Sequence, residues 1–166
     1  MRVFKIFMLV AVLAIAALFF LNYEKDNLEK SNYDNNKAIG QEWDTHAYSY
    51  YDQNSPNHDL DLKFGSFNGY DTFYRLNASR EGTITVKYDS SIDKGRFKIV
   101  MVSPDHELSR IAEGSGKGSK EVKLAPGESR IKIVGDKATG TVKMTIGAGE
   151  GIKVILEGDD FPFAKQ

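Results

Sequence analysis

The residues best suited to bind a ligand are four aromatic side chains close together in the chain: Trp43, Tyr48, Tyr50 and Tyr51. An aromatic ring offers a flat apolar face on which a sugar or another ring can stack. The same residues would also suit an irregular edge strand or a cover packed on a β-sheet. A membrane-interface aromatic belt is a third interpretation, although Trp43 lies far from the apolar N-terminal segment. We name these four residues as the candidate binding site.

The three histidines, His46, His58 and His106, stand alone in the sequence. Metal sites use ligands at short, regular spacings, such as two histidines four residues apart on a helix. An oxygen-rich run from Asp52 to Asp61 lacks the ordered D-x-[DN]-x-[DN]-G spacing and the final glutamate of a calcium loop. The sequence has no cysteine, which excludes thiolate ligands and disulfides. We expect no metal and no cofactor.

No catalytic constellation stands out in the sequence. The glycine-rich stretch 147–151 joins two predicted strands, whereas a phosphate cradle needs a helix N-terminus behind it. The chain has no G-x-S-x-G nucleophile elbow. Its acidic pairs are spread over many segments, so none can be assigned a role in glycoside hydrolysis from sequence alone. We predict that the chain is not an enzyme, and we assign no catalytic residue.

An apolar segment at residues 3–21 is the strongest signal in the chain, with Arg2 before it and Lys5 near its start. As a helix, the uninterrupted run from residue 6 to 21 spans about 24 Å, and the flanking residues bring it near the roughly 30 Å of a bilayer core. A cleaved signal peptide is the alternative, but the small-x-small triplet Ala14-Ile15-Ala16 lies inside the run. Residues 1–22 therefore predict a single-pass membrane anchor with the C-terminal domain extracytoplasmic. Secretion after signal cleavage is the alternative localisation.

Residues 23–58 carry seven acids and three bases and show no apolar period. Such a stretch buries too little apolar surface to offset the entropy of ordering it, so it predicts a polar linker that contains the aromatic cluster. The whole chain has a formal net charge of −1. No segment concentrates lysine and arginine as a nucleic-acid footprint would, so we expect no nucleic-acid partner.

The stretch 96–102 is typical of a strand in the middle of a β-sandwich. Phe97, Ile99 and Met101 share one face, and the opposite face is also largely apolar, which is the pattern of a strand covered on both sides. Ile99 lies at the centre of the apolar row. We therefore expect Ile99 to belong to the core.

Nearly every gap between the other predicted strands holds Gly, Pro or Asp. Asn68-Gly69 predicts a two-residue hairpin, and the stretches 93–95 and 135–140 predict further turns. Eight or nine short strands with these turn signals predict an all-β antiparallel β-sandwich over residues 59–158. A partly closed barrel is the alternative. Residues 159–166 form a short tail.

Four stretches of the predicted sandwich resemble a β-sandwich domain found in small membrane-anchored surface proteins and lipoproteins of Gram-positive bacteria. They are Phe67-x-Gly69, Gly82-x-Ile84-x-Val86-x-Tyr88, Lys94-Gly95-x-Phe97-Lys98-Ile99-x-Met101-Val102-x-Pro104-Asp105 and Lys132-Ile133-Val134-Gly135-Asp136-Lys137-Ala138-x-Gly140. The resemblance covers about residues 60–157 and implies a sandwich tethered to the outer face of the membrane, but no assigned activity. This chain lacks the lipidated cysteine of the lipoprotein members, so the apolar segment would have to be the anchor.

The sequence as a whole predicts a non-enzymatic, membrane-tethered extracytoplasmic β-sandwich domain. Its expected partners are the membrane, through residues 3–21, and an unknown protein or cell-envelope polymer. A carbohydrate-binding module that uses the exposed aromatic residues is the alternative.

Overall fold

The computed structural model describes residues 32–157. The predicted membrane segment at 1–22, the start of the predicted linker up to residue 31, and the tail at 159–166 lie outside the described residues. Between residues 32 and 157, no helix is long and apolar enough to cross a bilayer. The elements are helix α1 Asn36–Ile39, a 3₁₀ helix Pro56–His58, and strands β1 Thr45–Ala47, β2 Tyr50–Asn54, β3 Leu60–Ala78, β4 Gly82–Val102, β5 Leu108–Glu113, β6 Gly116–Leu124, β7 Gly127–Ala148 and β8 Ile152–Leu156.

All eight strands form one antiparallel sheet, with the long strands β3, β7 and β4 side by side at its centre. The first layer contains the first halves of β3 and β4 and the second half of β7, with β2 and β6 beside them. The second layer contains the other halves of the same strands, with β1 and β8 beside β3 and β5 beside β4. The sheet therefore folds over on itself, and the predicted all-β antiparallel sandwich is confirmed.

The long strand β3 bends where the sequence predicts a hairpin at Asn68-Gly69. The chain continues along the same strand, and its register to β7 shifts between Phe64 and Gly69. Gly69 has φ = +103°, and a Cβ atom there would collide with the carbonyl group of Thr45. Because Asn-Gly favours positive φ, it serves a β-bulge as well as a hairpin turn. The predicted hairpin is wrong, and six of the expected short strands are joined in pairs as three long, bent strands.

Strands β4 and β7 bend beside β3, at the other two predicted turns. In β4 the register to β7 shifts between Ile92 and Arg96, and Gly95 has φ = +75°. In β7 the positive φ falls on Lys137, at 52°. Since bulges bend a strand and increase its twist, three adjacent bulges turn the whole sheet over along one line.

A further shift in β3, between Thr72 and Tyr74, changes which side chains face the core. Strict alternation predicts that Tyr70, Thr72 and Tyr74 share one face. In the structure Tyr74 belongs to the main core, whereas Tyr70 packs with Val134 in a separate outer cluster. One extra residue in a strand reverses the side to which all later side chains point, which explains the difference.

The main core lies between the two layers. Ile99 is fully buried there, with Phe97 and Met101 beside it in the same cluster, so the predicted core strand is confirmed. The rings of Phe64, from the first layer, and Phe97, from the second, stack with centroids 5.3 Å apart. This contact joins the layers directly, because the two residues lie on either side of the bend.

The outer face of the second layer is covered by residues 33–44, which we call the strap. Tyr33 and Ile39 are buried and cluster with Val100 and Val134 on this face. The structure thus differs from the polar linker expected at residues 23–58, since the chain from Tyr33 onward packs on the sheet. Two apolar residues six positions apart give no visible period, yet they suffice to cover a face that β4 and β7 leave apolar.

Tyr33 fixes the start of the strap through charged neighbours. Its ring centroid lies 4.0 Å from the Arg96 guanidinium carbon and 4.5 Å from Lys98 Nζ. Its hydroxyl donates a hydrogen bond to Glu113 Oε1 at 3.3 Å. Lys98 is buried beside this ring, and burial lowers the pKa of its ammonium group. The cationic side chains of β4 thus hold the strap against the sheet.

Candidate functional site

A cleft of about 420 Å³ opens along the edge of the sandwich, where β2 of the first layer lies beside β1 and β3 of the second. This volume falls within the roughly 300–1,000 Å³ range of small-molecule sites. We call it the edge cleft. It is lined by Asp44, His46, Tyr48, Tyr51, Gln53, Asp71, Thr72, Phe73, Arg75 and Glu157.

Two tyrosine rings form one wall of the edge cleft. Tyr48 stacks on the core residue Phe67, with centroids 4.5 Å apart and an angle of 9° between the rings. Tyr51 meets Tyr48 edge to face at 5.1 Å, remains 46% exposed, and its hydroxyl donates to Gln53 Oε1. Burial raises the pKa of Tyr51 to about 12, so its hydroxyl is neutral at physiological pH. The half-buried Tyr48 ring thus supports the accessible Tyr51 ring.

Asp71 presents a carboxylate to the cleft from β3. Its Oδ2 accepts a hydrogen bond from the Tyr48 hydroxyl at 2.7 Å, and its Oδ1 lies 3.4 Å from His46 Nδ1. Burial raises the pKa of Asp71, while the Tyr48 hydroxyl and His46 oppose that rise. Both carboxylate oxygens therefore have a fixed orientation and still have lone pairs for further donors.

The floor of the cleft rests on a buried lysine. The ammonium group of Lys132, fully buried on β7, donates to the carbonyl oxygens of Gln41 at 2.8 Å and Trp43 at 3.3 Å, and to Asp44 Oδ1 at 2.9 Å. Asp44 also accepts from the Thr72 hydroxyl and backbone amide, at 3.0 and 3.1 Å. All three ammonium hydrogens have acceptors, which offsets the burial that lowers the pKa of Lys132. This network sets the position of Asp44.

Arg75 forms the far end of the cleft. Its Nε donates to Glu157 Oε1, and its Nη1 donates to Glu128 Oε1 at 2.9 Å. The Glu157 bond, which is the larger cause, raises the pKa of Arg75. One guanidinium group is therefore shared between two carboxylates at this end.

The structure divides the four predicted binding residues into two pairs. Tyr48 and Tyr51 line the edge cleft, whereas Trp43 and Tyr50 do not. Trp43 is 63% exposed, and Tyr50 is 49% exposed with Lys63 Nζ 5.8 Å from its ring centroid. The cleft therefore uses half of the predicted aromatic cluster.

The histidines have separate roles. His46 lines the cleft, and His106 Nδ1 lies 2.9 Å from the Gly40 carbonyl oxygen, at the end of helix α1. His58 closes the 3₁₀ helix. Among residues 32–157, no group of three or more His, Cys, Asp or Glu side chains is placed to hold a metal ion.

Sequence reasoning missed the charged residues of the site. Asp71 and Arg75 look in the sequence like the solvent-facing positions of an alternating strand, and Glu157 looks like the end of the domain. A local signal does exist at Asp71, because the Phe73-Tyr74 pair breaks strict alternation and marks the bulge. No local signal connects Asp44 to Lys132, which lie 88 positions apart.

No known protein family matches the chain, and no curated protein matches it either. Solved structures align over part of it at low similarity. A family two carbohydrate esterase from Cellvibrio japonicus aligns with 69% of this chain at 12% identity and a TM-score of 0.36. This chain spans about a third of the length of that esterase, 33%.

Two further structures align in the same way. The CBM1 of BiXyn10A, in its apo form, aligns with 68% of this chain and 95% of its own length, at 7% identity and a TM-score of 0.36. A CBM4 structure aligns with 63% of this chain and 78% of its own length, at 9% identity and a TM-score of 0.33.

Proposed function

We propose that the β-sandwich is a carbohydrate-binding module that holds its ligand in the edge cleft without catalysing a reaction. The observation that carries the proposal is the composition of the cleft: two tyrosine rings beside carboxylate, amide, imidazole and guanidinium groups in about 420 Å³. An apolar wall with a few convergent polar groups is the usual make-up of a ligand site.

A sugar ring matches these walls. It has an apolar face of C–H groups that packs on an aromatic ring, and a rim of hydroxyls that both donate and accept hydrogen bonds. Tyr51 offers the accessible ring, Asp71 offers acceptors, and Arg75 and Gln53 offer donors. The Tyr48–Phe67 stack and the Lys132 network hold these groups in place before a ligand arrives, which reduces the entropy lost on binding.

Binding without catalysis is favoured by the surroundings of His46. An imidazole that activates a protein nucleophile needs a hydroxyl or thiol side chain of that kind within hydrogen-bonding reach. Within residues 32–157, the interactions of His46 are with Asp71 and with the Tyr48 ring, at a centroid distance of 5.5 Å. The described part of the chain thus offers this histidine no nucleophile to activate.

We also propose that the module is displayed outside the cell by the apolar segment at residues 3–21, close to a cell-envelope or environmental polymer. The support is the sequence of that segment, with Arg2 and Lys5 at its start. Protease added to intact cells should remove the sandwich from the membrane fraction. Protection of the sandwich in intact cells, or its presence in the medium with an N-terminus near residue 17, would contradict this display.

A glycan microarray tests the binding function. The full chain would be used in a detergent without a sugar headgroup, so that the detergent does not compete for the cleft. We expect binding to a defined set of glycans and a loss of about tenfold or more in Tyr51→Ala, which removes the accessible ring. Tyr50→Ala is the matched control, because its neighbouring, equally exposed ring lies outside the cleft. No glycan binding, or equal losses in both variants, would overturn the proposal.

A further inference from the structure

The charges around the edge cleft do not balance. Three carboxylates line it, from Asp44, Asp71 and Glu157, against one guanidinium, from Arg75. Counting the two groups that pair with the lining from outside, Lys132 with Asp44 and Glu128 with Arg75, leaves the formal charge at −2 with His46 neutral.

The cations near the cleft are already engaged. Lys132 is fully buried, and its ammonium hydrogens point to two carbonyl oxygens and Asp44 beneath the floor. Arg75 is shared between Glu157 and Glu128. Each of these cations would therefore meet an anion in the cleft with its charge already shared with protein carboxylates. An acidic ligand would also meet the Asp71 carboxylate, whose direct partners among residues 32–157 are a phenol hydroxyl and an imidazole rather than a lysine or arginine.

The surroundings of Asp71, in contrast, would favour a cationic ligand. Asp71 is a largely buried carboxylate whose direct partners are a phenol hydroxyl and an imidazole, so its charge is stabilised by hydrogen bonding more than by a formal cation. The Tyr48 ring and the exposed Tyr51 ring lie on the same wall. A carboxylate beside aromatic faces is a favourable environment for an ammonium group, through ion pairing and cation–π attraction.

We infer that the edge cleft selects its glycan by charge, taking sugars with a free, protonated amine in preference to neutral ones and rejecting sugars with an acid group. This inference rests on the proposed function, since it names the class of sugar that the same cleft holds. The aromatic wall supplies the sugar-binding surface. The net negative charge of the cleft, with Asp71 beside that wall, sets the order of affinity among ligands of the same shape.

A matched set of oligosaccharides tests the predicted order of affinity among amine, neutral and acid sugars. β-1,4-Linked hexamers of glucosamine, glucose and glucuronic acid share one backbone and differ in carrying an amine, a hydroxyl or a carboxylate. Equivalent amine, neutral and acid members of any other backbone that binds on the microarray serve equally. We expect each step from amine to neutral to acid to weaken binding about tenfold, as expected for one unit charge near a partly buried carboxylate.

Two variants test whether the charge of Asp71 causes this order of affinity. Asp71→Asn keeps an acceptor for the Tyr48 hydroxyl but removes the charge, so it should reduce the difference in affinity between amine and neutral ligands. Asp105→Asn removes an exposed carboxylate in the turn between β4 and β5, outside the cleft, and should leave the order unchanged. Raising the salt concentration should reduce the differences in affinity among the three ligands. The reduction should be smaller than it would be for a fully exposed carboxylate.

The outcomes separate the two proposals. If no glycan of any charge binds, the proposed function is wrong. If glycans bind through Tyr51 but acidic members bind as well as neutral and amine members, the charge inference is wrong and the proposed function stands. A third outcome is that the order of affinity from amine to neutral to acid ligands is observed but persists in Asp71→Asn and disappears in Asp105→Asn. In that case the charge selection occurs elsewhere on the surface, and the inference is likewise wrong.

Discussion

The hydroxyl oxygen of Tyr74 accepts a hydrogen bond from the Leu60 backbone amide at 3.0 Å, although the two residues lie in opposite layers of the sandwich. The same hydroxyl donates to the Met144 carbonyl oxygen, also at 3.0 Å. One phenol oxygen from the second layer thus satisfies backbone groups of the first, deep between the sheets. It fixes the spacing of the layers at the end opposite the bend.

Tyr74→Phe should therefore lower the free energy of unfolding by about 1–3 kcal/mol, because it leaves a buried amide and a buried carbonyl without their partner. Urea denaturation measures the change. Tyr70→Phe is the control, since the described contact of Tyr70 with Lys132 is made by its ring, with the centroid 5.3 Å from Nζ. A loss at Tyr70 equal to that at Tyr74 would contradict the role of the hydroxyl bridge.

Ile99→Ala should cost about 2–5 kcal/mol of unfolding free energy, as for other buried large-to-small changes. The adjacent Lys98→Ala should cost less, roughly 1–2 kcal/mol, from lost packing of its stem and lost cation–π attraction to Tyr33. The Lys98 side chain does not reach solvent freely, because it is buried beside the Tyr33 ring of the strap. Thermal denaturation of both variants would show the ranking, and a reversed ranking would mean that the core lies on the other face.

Tyr33→Ala should destabilise the domain by about 3 kcal/mol, because it opens the apolar outer face of the second layer. The neighbouring Asp34→Ala removes an exposed ion pair with Arg96, 2.8 Å between Oδ2 and Nη1, and should change stability by less than about 1 kcal/mol. Limited proteolysis gives a second measurement, since release of the strap should create new cleavage sites before residue 45. Unchanged stability in Tyr33→Ala would mean that the strap is not part of the folded unit.

Lys132→Met should cost about 3 kcal/mol, because removing one member of a buried pair leaves the Asp44 carboxylate without its counter-charge. Lys143→Met is the matched control: its ion pair with Asp61, at 2.8 Å, is exposed and should contribute little. Chemical denaturation at neutral pH compares the two. Equal small losses would show that the strap holds Asp44 in place without the lysine.

Stability should depend on pH through Asp71, whose pKa burial raises above its ordinary 3.8. The folded state then binds a proton more tightly than the unfolded state, so this contribution is present below pH 3.8 and is lost as pH rises through the folded pKa. The groups that face Asp71 are Tyr48, His46, Asp44 and Lys132. Measured against wild type, Asp71→Asn should therefore be relatively more stable at pH 7 than at pH 4.

Asp34→Asn is the control, because the pH dependence of its relative stability should have the opposite sign. The hydrogen bond from Arg96 lowers the pKa of Asp34, so its contribution is present at neutral pH and is lost as pH falls. The effect should be small because the carboxylate is exposed. If stability changed with pH in the same direction in both variants, burial would not be raising the pKa of Asp71.

The bulges in β3 show where local pattern is insufficient. Asn68-Gly69 predicts positive φ correctly, and Gly69 has it, but a hairpin and a bulge need the same backbone. The pairing partner decides between them, and that partner is β7, more than sixty residues further along the chain. For the same reason, alternation places Ile99 correctly and misplaces Tyr74, which follows a bulge.

The sequence by itself determined the all-β class, the core face of the central strand, and two of the residues that line the cleft, Tyr48 and Tyr51. Each of these depends on residue type and short-range periodicity. The folded-over sheet, the packed strap and the charged half of the cleft were decided by tertiary structure alone. Asp44 and Lys132 meet because β7 and the strap pack together, and their 88-position separation leaves no periodic trace. Burial then sets their energetics, since the same charges in water would interact only weakly.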